Sequence, residues 1–337
     1  MNMLCFFKKC IRGGTSSIMK RFAKAYNKFM KHWKAGDGKK NTFIIYLDAN
    51  NLYGWGMKQE LPYGDFKWLD LATLGRLNSD LRKEKIKEWI HSLNADGRGA
   101  FVECTLRVPE HLHDKFNWYP PAPERVKVKK EDISPFIVEM NQVSGGTVNT
   151  TVPMFMQTLA DKEHYYVHTK CLELYLDLGL ELVEIFNAIH FKHVKFMETY
   201  IDMNTELRVR GKSTFKKNNY KLMNNSIYGK TFEDPVKRAN LVFVNGVQEY
   251  YKIVSKTGFN GAVFQHDEVM IAKMLHESIT YDKPLYLGAA ITEYAKYLMF
   301  DFYYNVLHKF YNPSKVKLLF TDTDSLMLEI ETEDIFE

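Results

Sequence analysis

Near the end of the chain two apolar runs, residues 315–320 and 326–330, flank a wholly polar pentapeptide, Thr321-Asp322-Thr323-Asp324-Ser325. That pattern predicts two antiparallel strands joined at an acidic tip. A buried-type strand over residues 42–47 delivers Asp48 at its end, and Ala49-Asn50-Asn51 turns the chain after it. Strict alternation over residues 99–108 puts Val102, Cys104, Leu106 and Val108 on one face, which predicts a half-buried antiparallel strand. Further strands are expected at 61–69, 164–168, 182–189, 241–244 and 250–254. Helical periodicity marks 15–34, 79–94, 170–178, 191–210, 213–230 and 285–310. In the first of these, Ile18, Phe22, Tyr26, Phe29 and Trp33 recur at spacings of four, four, three and four. Gly211 joins 191–210 to 213–230 by a short turn, so that pair should run antiparallel. Residues 109–150 begin with Pro109, Pro120, Pro121 and Pro123; they are the least regular stretch and the expected insertion.

Composition places this pattern in a globular chain. Of 337 residues, 45% are apolar and 26% charged, enough for a sizeable core and two or three subdomains. No run of 18 apolar residues occurs, so no membrane span and no membrane partner are expected. Cys5, Cys10, Cys104 and Cys171 form no CxxC pair, which favours a reducing, intracellular setting without structural zinc. The net charge of +5 is uneven. Residues 1–40 hold 11 Lys/Arg against Asp37 alone, about +10, while the remainder holds 35 basic and 40 acidic residues. A basic leader ahead of an acidic body fits a polyanion partner, or a solvated tail.

Candidate chemistry sits in three stretches. Asp322 and Asp324, one residue apart at a hairpin tip, can point at one small volume, where like charges repel unless a cation neutralises them. Mg²⁺ needs only one or two protein carboxylates beside substrate phosphates; the alternative is a solvated acidic turn. Asp48, at the end of an apolar strand, is a second such presentation, or the start of an ordinary turn. Lys217, Lys221, Asn225 and Tyr228 are spaced four, four and three, so one helix face offers two cations, an amide and a phenol. That face suits a polyphosphate and a base, or is simply the solvated outside, with Leu222, Met223, Ile227 and Phe232 on the buried side.

Taken in order, three motifs resemble those of family B DNA polymerases. Asp48-Ala-Asn-Asn-Leu-Tyr53-Gly is similar to motif A. Lys221-Leu-Met-Asn-Asn225-Ser226-Ile-Tyr228-Gly229 matches motif B (KxxxNSxYG) at every fixed position. Phe320-Thr-Asp322-Thr-Asp324-Ser325 resembles motif C, and Arg12-Gly13-Gly14 resembles the YxGG element that links exonuclease and polymerase domains. The wording is nearest the protein-primed branch, with a transposon or virus-like flavour (the Maverick/Polinton type).

The resemblance implies an α+β fold: an antiparallel palm sheet packed by helices, with a two-helix fingers subdomain. It divides the chain into a basic leader at 1–40, palm at 41–190 with an insertion at about 66–150, fingers at 191–232, and palm again at 233–337. Exonuclease and thumb are expected to be absent, and with them proofreading. It implies catalytic roles for Asp48, Asp322 and Asp324, with Asp48, Asp324 and Ala49 at two Mg²⁺ ions that Mn²⁺ can replace. Tyr53, Leu52, Lys217, Lys221 and Asn225 would meet the incoming dNTP. Arg12, Gly13, Gly14, Ser226, Tyr228, Gly229, Thr323 and Ser325 would meet primer-template DNA. A terminal protein primer is a further implied partner, and the nucleus or a viral replication site an implied location. A nucleic-acid-binding remnant without catalysis is the alternative. A nuclease using the three aspartates would not need the KxxxNSxYG helix.

Overall fold

A computed structural model describes residues 2–148, 150–266 and 269–336; Met1, Asn149, Asp267, Glu268 and Glu337, which fall in the expected regions above, lie outside the described residues. Asn2 caps α1 (Met3–Cys10) by accepting from the Cys5 N–H at 2.8 Å, and α1 buries Phe6, Phe7 and Cys10. There follow β1 (Ser16–Ile18), β2 (Thr42–Asp48), α2 (Leu52–Met57), β3 (Leu61–Trp68), α3 (Leu71–Ser79), α4 (Lys83–Ala95) and β4 (Arg98–Arg107). Residues 113–156 hold α5 (His113–Phe116), β5 (Glu124–Val126), α6 (Pro135–Val143) and β6 (Met154–Met156), with β5 and β6 paired. β7 (Lys162–His168) leads into α7 (Thr169–Leu178), which Gly179 ends in the left-handed region. β8 (Glu181–Val194), α8 (Glu198–Arg210) and α9 (Thr214–Thr231) come next. A small unit of β9 (Asn240–Asn245), α10 (Val247–Val254), β10 (Phe259–His266) and β11 (Val269–Met274) precedes α11 (Leu285–Asp301). A π-helical segment, Phe302–Leu307, carries α11 on toward β12 (Val316–Asp322) and β13 (Ser325–Glu331).

The architecture is α+β, and every strand pair is antiparallel. One four-stranded sheet runs β1-β12-β13-β2, another β3-β8-β4-β7, and a third, three-stranded, β10-β11-β9. α11 holds the two larger sheets together. Its Ala295, Met299 and Phe300 join a core with Leu318, Leu326 and Leu328 of the first sheet. Its Ala289, Ala290, Ile291 and Tyr294 join another with Phe6, Phe101 and Phe191. A helix apolar on nearly every side, as its sequence reads, must be buried on every side.

Several elements depart from their sequence pattern. Residues 15–34 form no helix: Ser16–Ile18 pairs with β12, and the chain then runs irregularly to a bridge between Tyr26 and Thr42. The open edge of β12 captures the backbone, and Phe22 and Phe29 of the predicted apolar stripe are left exposed. The helix expected at 79–94 begins at Lys83, because Asp80 takes the Arg82 guanidinium and ends α3. β4 is buried on both faces, since the second core covers Phe101 while Glu103 is buried in a polar cluster. Residues 191–194 extend β8, so the next helix starts only at Glu198. Residues 250–254, expected as a strand, lie in α10, which packs Ile253 on the small sheet. The hairpin β10–β11 carried no clear sequence signal. On α9 the buried positions are Asn224 and Thr231, and Leu222 faces solvent.

Candidate active site

Strand register brings the carboxylates together. Asp322 lies opposite Ser325, and Ser325 opposite Asp48, so one row across the sheet carries Asp322, Ser325 and Asp48 on the same face. The β12–β13 turn consists of Thr323 and Asp324. Asp324 donates its N–H to the Asp322 carbonyl at 2.7 Å, and Ala49 donates its own to the Asp324 carbonyl at 2.7 Å. Burial pushes the Asp324 carboxyl above the ordinary aspartate range; the Asp48 and Asp322 carboxylates push it the same way, and Lys221 opposes them. Three carboxylates and one motif B lysine therefore share a single electrostatic neighbourhood, although Lys221 stands on a different layer of the fold.

Lys221 reaches it because α8 and α9 form an antiparallel pair standing over α2. Asn204 donates to Asn224 at 2.9 Å across that pair, and both amides are buried. Between α2, α8 and α9 lies a cleft of about 610 Å³, lined by Asn51, Gly54, Lys58, Arg208, Lys217 and Lys221. Lys58 is held by Asp202 at 2.6 Å. A concave site with several cations and one acid is suited to a polyphosphate. Lys58 had no sequence signal, because only the single turn of α2 brings it under the α8–α9 pair.

Tyr53 and Tyr228 stack face to face, with centroids 3.9 Å apart and planes at 17°. This contact joins α2 to the base of α9, close to both cores. Burial and the adjacent Tyr53 phenol push the Tyr228 hydroxyl far up, so it stays protonated. Asn51 turns the chain into α2 at φ +60, and a Cβ on Gly54 would overlap the Asn51 side chain. A glycine at position 54 thus goes with an asparagine at 51.

Other candidates are placed less directly. Leu52 is buried, so only its backbone can face the cleft. Asn225, Ser226 and Gly229 are exposed on α9, and the Ser226 hydroxyl donates to the Met223 carbonyl at 3.2 Å. Ser325 is buried and its hydroxyl donates to the Asp322 carbonyl at 3.3 Å. Arg12, expected at DNA, points inward instead, to the Tyr166 carbonyl and to Glu293. Gly13 is exposed, and Gly14 sits against Thr323. Part of the basic leader is paired with carboxylates: Lys20 with Glu329, Lys28 with Asp334, Lys39 with Asp37 and Lys40 with Glu331. Its first turns also build the core through Phe6 and Phe7, so it is no separable tail.

Among the described residues no three His, Cys, Asp or Glu side chains are gathered into a self-sufficient metal cluster, and no helix is long and apolar enough to cross a membrane. The carboxylates nonetheless fit a divalent cation. Burial raises Asp324 first and repulsion by Asp48 and Asp322 adds to it; a cation relieves both, and a Mg²⁺ site completed by substrate phosphates needs few protein ligands.

The model of the family "DNA polymerase type B, organellar and viral" matches residues 32–308. That span includes Asp48, Tyr53, Lys221 and Tyr228; the Asp322–Asp324 tip and Arg12–Gly14 lie outside it. No curated protein matches the chain by sequence. Among solved structures, phi29 DNA polymerase complexed with primer-template DNA and incoming nucleotide substrates is similar at TM-score 0.51 and 18% identity. The same polymerase in its post-translocation binary complex with primer-template DNA gives 0.50 and 17%. Both matches cover 99% of this chain and 44% of the phi29 chain. The likeness is one of fold, and the chain spans less than half the length of the polymerase it resembles.

Proposed function

As the chain belongs to the organellar and viral type B DNA polymerases, we propose that it carries the palm and fingers of a template-directed DNA polymerase. In this reading the sheet β1-β12-β13-β2 is the palm floor and α8–α9 are the fingers. The reaction is nucleotidyl transfer from a dNTP to a primer 3′-hydroxyl. The single observation behind it is the shared neighbourhood of Asp48, Asp322, Asp324 and Lys221. A nuclease would use the carboxylates alone, without a lysine-bearing helix pair over them.

Asp48 and Asp324 would hold two divalent cations, with Asp322 and the Ala49 backbone beside them. Mg²⁺, for which Mn²⁺ substitutes, supplies charge neutralisation at the attacking and leaving oxygens when bound. Lys221 and Lys217 reach the triphosphate from the cleft and stabilise charge that grows on it during transfer. Tyr53 lies under the sugar, where a flat ring leaves no room for a 2′-hydroxyl. Asn225 stands beside the nucleotide, and Tyr228 with Gly229 beside the terminal base pair. Gly13 is open to a phosphate backbone, and Thr323 stands at the primer end, with Ser325 buried behind it as a support of the tip. Initiation from a terminal protein belongs to the same proposal, with the insertion as its contact.

Incubation of the full chain with primer-template, Mg²⁺ and single dNTPs tests the reading. The expected result is extension only by the nucleotide complementary to the template. Extension without regard to template, or degradation of the primer in place of extension, would overturn it.

A further inference from the structure

We infer that Arg12–Thr15 is a clamp that sets the carboxylate tip, with Gly14 and Glu293 as positioning residues for Asp322 and Asp324. The inference deepens the polymerase reading and rests on it for its consequence in metal use. Its structural part stands on its own.

Thr323 is the one residue between the two aspartates, and it adopts φ +59. A β-branched residue does not hold the left-handed region unless its surroundings impose it. Here they do. Its N–H donates to the Thr15 carbonyl at 2.7 Å, and β1 continues the pairing with Ser16 opposite Asp322. Its side chain lies directly on Gly14. A Cβ there would stand 2.5 Å from Thr323 Cγ2 and 2.7 Å from its Cβ, and closer still to its hydroxyl. Rotation about χ1 moves Oγ1 and Cγ2, but Cβ is fixed to the backbone and stays 2.7 Å away in every rotamer. The space behind them, bounded by Gly14, Tyr53, Tyr119, Lys296 and Thr323, is only about 10 Å³, too tight for Thr323 to retreat into.

The clamp is anchored at its other end by charge. Glu293 of α11 takes Arg12 Nη2 at 3.2 Å and Lys296 Nζ at 3.3 Å on Oε1, and the His168 N–H at 3.2 Å on Oε2. Lys296 also donates to the Arg12 carbonyl at 3.0 Å. All three charged side chains are more than nine-tenths buried. α11 thereby fixes the backbone of Arg12, two residues later Gly14 presses on Thr323, and Thr323 orients a carboxylate on each side. The glycine at position 14 is required by this contact inside the protein rather than by the approach of DNA.

The test is a double-mutant cycle on the full chain, read by hydrogen exchange at the residue 323 amide and by the Mg²⁺ concentration for half-maximal primer extension. Gly14→Ala should speed that exchange at least tenfold and raise the Mg²⁺ requirement at least fivefold. With Thr323→Gly already in place, which removes the three atoms nearest the new Cβ, adding Gly14→Ala should change each quantity less than twofold. Unchanged exchange in Gly14→Ala, or an effect undiminished in the Thr323→Gly background, overturns the clamp. Exchange that responds as expected in a chain extending no primer supports the clamp and sinks the polymerase reading instead.

Discussion

Replacing Glu293 by Gln isolates the buried charge cluster that ties the N-terminal segment to α11. The carboxylate is 1% exposed and faces two cations, Arg12 at 7% and Lys296 at 6% side-chain exposure. Burial alone raises the Glu293 carboxyl, but Lys296, Arg12 and the His168 N–H outweigh it and hold it below the usual glutamate range. Gln keeps the shape and one acceptor and leaves two buried cations with no anion. Removing one partner of a buried ion pair costs about 3–5 kcal/mol. At about 2 cal/mol/K of unfolding entropy per residue, a chain of this size shifts about 1.4 °C per kcal/mol, so Tm should fall by about 4–7 °C. Because the folded pKa lies below the unfolded one, the Glu293 contribution is present above about pH 4.3 and is lost as pH falls through the folded value. The gap in Tm between parent and variant should therefore be full at pH 7 and narrow in acid below about pH 4. Thermal unfolding followed by circular dichroism across pH 3–8 is the assay. A drop under about 1 °C at pH 7, or a gap that widens in acid, would refute the reasoning.

Three further outcomes follow from the site. Lys221→Ala should raise the KM for dNTP about 10- to 100-fold, the loss of a charge-assisted hydrogen bond worth about 1.5–3 kcal/mol, while primer-template affinity holds; equal loss of both would place Lys221 on DNA instead. Tyr53→Val should relax the choice of deoxy- over ribonucleotide opposite one template base, and forfeit a ring stack worth about 0.5–1.5 kcal/mol; an unchanged ratio in an active variant would sink the selector role. Asp324→Asn should raise the neutral-pH Tm of the metal-free protein. The Asp324 pKa is raised in the fold, so its ionised form destabilises above that pKa and the penalty lifts as pH falls through it. A lower Tm for the variant without metal would contradict the crowding of carboxylates.

What was legible in the sequence was whatever burial and spacing enforce locally. The acidic hairpin, the strand ending at Asp48 and the α7 stop at Gly179 are single-element patterns, and they lie where periodicity put them. The antiparallel α8–α9 pair followed from the short turn at Gly211, although β8 took four residues from the first helix. Residues 15–34 failed because their helical period competes with an open sheet edge supplied by β12, some 300 positions away. α10 failed because Val, Tyr and Ile suit strand and helix alike until the small sheet offers Ile253 a place. The Tyr53–Tyr228 stack, the Lys58–Asp202 pair and the Arg12–Glu293–Lys296 cluster are long-range contacts without a local signature. Arg12 shows the risk in motif reading: its neighbours mark a known element, yet its guanidinium serves the core.

The central claim is that Asp48 and Asp324 hold the cations of nucleotidyl transfer. Its most direct measurement is primer extension by the parent, Asp48→Ala and Asp324→Ala proteins across a Mg²⁺ titration, with primer-template affinity determined on the same samples. The account predicts template-directed, Mg²⁺-dependent extension by the parent. Each variant should bind DNA within about twofold of the parent and extend at least about a thousandfold more slowly, on the scale at which removing a central electrostatic group acts. An Asp324→Ala protein that extends primers as the parent does, at the same Mg²⁺ concentration, would contradict it.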